Sequence, residues 1–203
     1  MSDSGKTTRR GLLIGIGATA ATLIALTAGQ SFGVLSSLNL FAPRRHGGGP
    51  QGLPVTRTAE QAKVAPTALD PSWRLRVIDG PSAHEYSREQ LLGLEQTDAE
   101  LPIACVEGWS TDASWCGVRL HDLLTAVRAP ADAAVRLTSL EPKGHYRTTT
   151  MGPEFAHDPR TLVALEVNGE PLDLDHGYPA RIIAPGRPGV LQTKWLSTIE
   201  VIR

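Results

Sequence analysis

Asn168-Gly169, set directly behind the apolar run TLVALEV (Thr161–Val167), is the strongest folding instruction in this chain. Two-residue hairpin turns need positive φ at both central positions, and Asn-Gly tolerates it better than almost any other pair. The dipeptide therefore predicts an antiparallel pairing around it, and with the pairing a sheet. Other segments agree. WRLRVID (Trp73–Asp79) alternates apolar and basic residues like a half-buried strand and stops at Gly80-Pro81. LPIACV (Leu101–Val106) reads as a buried strand, AVRLTSL (Ala134–Leu140) alternates again, and ARIIAP (Ala180–Pro185) and STIEVIR (Ser197–Arg203) are further strands. Helices are short. SREQLLGL opens with Ser87 and Gln90 at capping-box spacing, and RLHDLLTAV places Leu120, Leu123, Leu124 and Val127 on one face. Many short strands with few short helices give an α+β class with mixed or mainly antiparallel sheets.

Ahead of this body the chain changes character. No charged side chain occurs from Gly11 to Leu40, and the pair Arg9-Arg10 precedes the run. Roughly 20 apolar residues cross a bilayer core as a helix, so residues 11–33 predict one transmembrane anchor. Thr8-Arg9-Arg10-Gly11-Leu12-Leu13 also resembles a twin-arginine export signal, the route for proteins that fold before crossing. The expected organisation is a basic N-terminus (1–10), an anchor (11–33), a Gly/Pro-rich linker (34–54) and a folded domain (55–203) outside the cytoplasm, held single-pass in the cell membrane. Of 20 Lys/Arg and 21 Asp/Glu in the chain, five and one fall before residue 55, which leaves the body at a formal −5. A mildly acidic body without a basic stripe argues against nucleic acid as a partner.

Both cysteines, Cys105 and Cys116, lie in LPIACVEGWSTDASWCGVRLHDLL, together with Trp109 and Trp115. Three chemistries fit two sulfurs there. An exported domain permits a Cys105–Cys116 disulfide. Zinc on Cys105, Cys116 and His121 lacks the close C-x-x-C spacing of such sites. A single thiolate on a softer redox metal is the third. On spacing alone the disulfide leads.

CVEGWS…W-C-GVRLHDLL resembles the molybdenum-binding segment of the sulfite oxidase-type molybdopterin oxidoreductases, and is most similar to the branch holding the periplasmic methionine-sulfoxide reductase catalytic subunit. A second block, LEVNGEPLDLDHGYPARIIAPGRPGVLQTKWLSTIEV, resembles the same family and follows in the expected order. The resemblance runs from about Leu53 to Arg203 and implies the sulfite oxidase-type fold. It implies a cofactor of molybdenum with one molybdopterin, the metal held by Cys105 and not by Cys116, which is left as a packed small residue. It places His176, Arg181, Gln192, Thr193 and Lys194 on cofactor-binding positions. Arg181 offers a planar fork of donors, His176 a further donor, and Lys194 a point charge toward phosphate. Ser139 matches a small hydroxyl position near the active site, although EPKGHY (Glu141–Tyr146) replaces the family's D-G-Y after it. Thr56 and Arg57 match an early cofactor-contacting segment more loosely, and Trp109 and Trp115 are expected in the pocket wall.

The implied reaction is oxygen-atom transfer. Sulfite-oxidising members carry an arginine shortly after the metal cysteine, whereas Val106, Glu107, Gly108, Trp109 and Ser110 follow Cys105 here. Like-charge repulsion at Glu107 disfavours an anion, so a neutral S-oxide or N-oxide is the expected substrate. No haem motif or flavin fingerprint stands in the sequence, which implies a separate membrane or haem electron-transfer partner. Two alternatives remain open at this point: a sulfite-oxidising enzyme of the same fold, and a cofactor-free membrane-anchored binding domain.

Overall fold

The computed structural model describes residues 49–104 and 110–202. The expected anchor, the twin-arginine-like pair, Cys105, Glu107 and Trp109 lie outside the described residues. Among the described residues no helix is long and apolar enough to cross a membrane.

Among the described residues ten strands form two five-stranded sheets. In the first, β1 (Leu75–Asp79) lies between β2 (Ser82–Tyr86) and β10 (Leu196–Ile202), and β10 continues to β5 (Ala134–Ser139) and β6 (Thr148–Met151). The β1–β10 pair is parallel and the other pairs are antiparallel, which makes the sheet mixed, as expected. In the second, β3 (Thr97–Ala104), β4 (Ser110–Arg119) and β7 (Leu162–Val167) run antiparallel, and the far edge of β7 is shared by β8 (Glu170–Pro171) and β9 (Arg181–Ile183).

The Asn-Gly signal is realised. Asn168 and Gly169 take φ of 52° and 78°, and Glu166 and Val167 pair with Pro171 and Glu170 across the turn. Strand β7 is buried on both faces because it separates two cores. Val163 and Leu165 join the larger core with Leu75, Val77, Leu137 and Ile199, while Leu162, Ala164 and Val167 join a second with Leu101, Ile103 and Trp115. The helix Leu120–Ala126 buries Leu120, Leu123 and Leu124 in the larger core, and Val127 follows them there, each residue contributing roughly 1.5–3 kcal/mol of burial. Ser87 and Gln90 form the capping box of the helix Arg88–Leu92.

Three differences from the sequence reading are physical. The described part of LPIACV, residues 101–104, closes a longer strand whose exposure alternates, because β3 is a sheet edge with one face in water. The Trp/Cys segment after residue 109 is itself a ten-residue strand, β4, which pairs Ala104 with Ser110 and Asp98 with Cys116. The last residues of the expected linker fold into the body. Gln51 donates from Nε2 to the Pro171 carbonyl at 2.8 Å, Asn168 donates from Nδ2 to the Gln51 carbonyl at 2.8 Å, and Leu53 is buried.

Candidate functional site

Ser139, His176, Arg181, Gln192, Thr193 and Lys194 come from four separate parts of the chain, and all six line one cavity. Thr56 and Arg57 line it as well. So does Ala104, the residue before Cys105. Gly189 sits so near that a Cβ on it would lie about 2.4 Å from the Ala104 carbonyl oxygen, so this wall closes only with glycine.

Arg181 opens β9 and is 2% exposed. Its guanidinium lies 4.9 Å over the Trp115 ring, and one terminal nitrogen donates to the His176 carbonyl at 3.0 Å. Among the described residues its Nε has no partner, and no carboxylate is within ion-pair distance of it. Burial pulls its pKa down to about 10. A buried cation without a counter-charge costs several kcal/mol unless an anion binds it. The Trp115 indole is fixed from beneath by a hydrogen bond to the Leu101 carbonyl at 3.1 Å.

Lys194 donates to two backbone carbonyls, Arg57 at 2.6 Å and Asp175 at 2.8 Å, and its ammonium is 4.4 Å from the Trp195 ring centre. Trp195 has a φ of 52°, a left-handed backbone rare for so large a residue; its buried indole donates to the Leu174 carbonyl at 2.7 Å. Burial first, and then the charge of Arg181, lower Lys194 from 10.5 to about 7. The unfolded chain therefore binds more protons than the cofactor-free fold between about pH 7 and 10.5, and stability rises with pH across that window. Thermal melts of cofactor-free protein from pH 6 to pH 9 should show this gain, and Lys194→Met should remove it.

His176 lines the cavity with one ring nitrogen already engaged. Nε2 lies 2.7 Å from the Pro50 carbonyl, which can only accept, so the ring proton is held there. Burial lowers its pKa, and the neutral ring keeps Nδ1 as an acceptor. Gln192 lines the cavity with its side-chain amide already engaged: Oε1 accepts from Ala184 N at 2.6 Å, and Nε2 donates to the carbonyls of Ala184 at 3.3 Å and Arg187 at 3.1 Å. Thr193 Oγ1 is 3.0 Å from Thr149 Oγ1. The Ser139 hydroxyl donates to the Lys194 carbonyl at 2.8 Å and accepts from Glu141 N at 3.2 Å, so it fastens the end of β5 to the Lys194 segment.

Gly177, at φ 113°, turns the chain between His176 and Arg181. A Cβ there would lie 3.0 Å from the Arg181 Cβ and 3.2 Å from that of Lys194. Gly177→Ala should therefore displace both cations and reduce cofactor content severalfold while the two sheets still fold, as read by metal analysis beside circular dichroism.

Cys116 is a different kind of sulfur. It is free, partly buried, and paired with Asp98 at the opposite end of the β3–β4 hairpin from Ala104. Burial, a hydrogen bond to Asp98 and the charges of Asp98 and Glu166 push its thiol up to about 11. Six residues of strand, roughly 20 Å, separate it from Ser110, the partner of Ala104. That span does not suit a bridge to the residue after Ala104, since bonded cysteines need Cα atoms within about 7 Å.

Several residues escaped the sequence reading. Glu141 and Tyr146 line the cavity from the EPKGHY segment, where only the replacement was noted. Arg187 is buried against the carbonyls of Leu191 and Thr150 and reaches Thr149 Oγ1 at 3.3 Å, so it braces Thr193 from behind. Its place inside the second block was the available signal. Thr149 had none.

Residues 62–203 match the oxidoreductase molybdopterin binding domain model. The chain belongs to this family, of the sulfite oxidase type. It is 34% identical over 192 residues to the sulfite oxidase of Arabidopsis thaliana, covering 83% of this chain and 48% of that protein. Over 146 residues it is 36% identical to the mitochondrial sulfite oxidase of Drosophila melanogaster, covering 66% of this chain and 26% of that one. A 99-residue stretch is 40% identical to a nitrate reductase [NADPH] of Phytophthora infestans, covering 46% of this chain and 11% of that protein. The chain thus spans less than half the length of each of these relatives. Among solved structures, the sulfane dehydrogenase SoxCD from Paracoccus pantotrophus shares the fold at a TM-score of 0.57 and 22% identity, over 64% of this chain and 38% of that one.

The site fits the family's cofactor, a molybdopterin. An anionic, phosphate-bearing group would supply the counter-charge that Arg181 and Lys194 lack at ion-pair distance among the described residues, and an acceptor for the Arg181 Nε. The bare turn at Gly177 leaves room for both side chains.

Proposed function

We propose that this domain is a molybdopterin-dependent oxidoreductase that reduces a neutral S-oxide or N-oxide. Its cofactor is oriented by Arg181 and Lys194, and its metal is held by Cys105. The observation that carries the reading is Arg181, a buried guanidinium facing the cavity that has, among the described residues, no carboxylate in reach and no partner for Nε. A cofactor-free binding domain would have to bear that cost with nothing in return.

When bound, the cofactor supplies two-electron oxygen-atom transfer chemistry. The chain does the rest. Arg181 and Lys194 hold the anionic end, Trp115 keeps the guanidinium flat, and Leu53, Ile103 and Val190 line the cavity with apolar surface. Substrate charge follows from what remains. Once the cofactor engages Arg181 and Lys194, the further charges lining the cavity among the described residues are Arg57 and Glu141, already paired at 2.7 Å. A neutral oxide meets no unmatched charge there, whereas a dianion has no free guanidinium to receive it. Steady-state assays with artificial donors and acceptors should give a kcat/KM for sulfoxide or N-oxide at least about tenfold above that for sulfite. The reverse ratio would establish the second reading, sulfite oxidation, which the relatives named sulfite oxidases support.

The placement proposed for the chain is single-pass, with residues 11–33 as anchor, the body outside the cytoplasm, and electrons from a separate membrane or haem protein. The apolar run and Arg9-Arg10 support it. Replacing Arg9-Arg10 by Lys-Lys keeps the charge, so it should block export only if the pair is a twin-arginine signal; unchanged export of the folded body would remove that route.

A further inference from the structure

We infer that Glu141 sets the charge selectivity of the cavity by acting as a built-in counter-anion for Arg57, so that oxyanions are refused unless this carboxylate is removed. The inference rests on the cavity being the substrate site.

Both side chains line the cavity, and Glu141 Oε2 lies 2.7 Å from an Arg57 terminal nitrogen. The carboxylate is 9% exposed and is held from its backbone: its N–H donates to Ser139 Oγ at 3.2 Å, and its carbonyl accepts from Arg147 Nε at 2.7 Å. Ser139, which also lines the cavity, and Arg147 thus fix where Glu141 starts. Gly144 clears the far side, since a Cβ there would lie 2.9 Å from Oε2. Arg57 is fixed at its backbone, its carbonyl accepting from Lys194 Nζ at 2.6 Å, while its side chain is half-exposed.

The three cations lining the cavity differ in one respect. Arg181 and Lys194 have no carboxylate partner among the described residues and await an anion from outside; Arg57 has its anion supplied by the chain. An arginine fork is well shaped for a sulfur or nitrogen oxyanion, and a carboxylate seated on it competes for the same donors. Selectivity here is a repulsive element aimed at one class of ligand, and its removal should widen the range of ligands.

Sulfate is the probe, since it has the shape and charge of an oxyanion substrate and does not react. Calorimetry of the full-length, cofactor-loaded protein at low ionic strength should show sulfate binding at least about tenfold more tightly to Glu141→Gln than to the parent. Adding Arg57→Gln to that variant should abolish the gain, which a general loosening of the cavity would not do. Glu141→Ala serves if the glutamine variant does not fold, and should give the same gain. Unchanged sulfate affinity in the folded variants, or a gain that survives Arg57→Gln, overturns the inference. Binding is measured without turnover, so tighter sulfate in a protein that reduces no sulfoxide would sink the proposed reaction and leave the role of Glu141 standing.

Discussion

Cys105→Ser should lose more than about a hundredfold in turnover, while Cys116→Ser keeps most of it. Changes in the shell around a metal's ligands already cost 10–100-fold in metal affinity or activity, and exchanging the ligand itself, soft thiolate for hard oxygen, reaches the metal directly. Ala104, the residue before Cys105 in the sequence, and Cys116 stand at opposite ends of one hairpin. Ala104, next to Cys105, lines the cavity with Gly189 packed against its carbonyl. Cys116 pairs with Asp98 at the other end, and with its pKa near 11 it stays a thiol at neutral pH. A thiol neither ligates well nor attacks. Equal losses in the two variants would mean that the sulfurs act together, as a disulfide would require, and would count against the metal assignment.

The second large effect concerns Arg181, and it has two signs. Arg181→Met should purify with less than about a tenth of the parent's molybdenum, because hydrogen bonds to charged groups contribute roughly 1.5–3 kcal/mol. The cofactor-free form of the same variant should be no less stable than the cofactor-free parent. Its guanidinium is buried and, among the described residues, has no counter-charge and no partner for Nε, so an apolar side chain of similar length relieves a cost that the hydrogen bond to His176 and the stacking on Trp115 only partly offset. Metal content and thermal melts of both forms read the two effects. A variant that melts lower yet keeps its molybdenum would make Arg181 a purely structural residue.

The hairpin at Asn168-Gly169, the capped helix at Ser87 and the buried face of the helix Leu120–Ala126 were legible because each is a local agreement between residue type and backbone. Strand β4 was not. Its alternation is carried by Ser, Thr, Asp and Cys beside Ala113 and Trp115, and cysteine chemistry drew attention away from the period. The site itself was visible through resemblance: Arg181 and Lys194 on their own would pass for surface cations. Burial cannot be read from a sequence, and burial without a counter-charge among the described residues is what makes them candidates for an anion site. For the same reason the bond made by His176 Nε2 was not legible. Its partner, the Pro50 carbonyl, lies 126 positions away in a segment that reads as linker. Glu141 was noticed only as a departure from a pattern, because its meaning depends on Arg57, 84 positions earlier, arriving beside it.

Metal and pterin analysis of the full-length protein, purified from a host that makes the cofactor, tests the central claim most directly. The account predicts about one molybdenum and one molybdopterin per chain, both lost together in Arg181→Met. Folded protein that carries neither would contradict it and leave the buried cations facing some other anion.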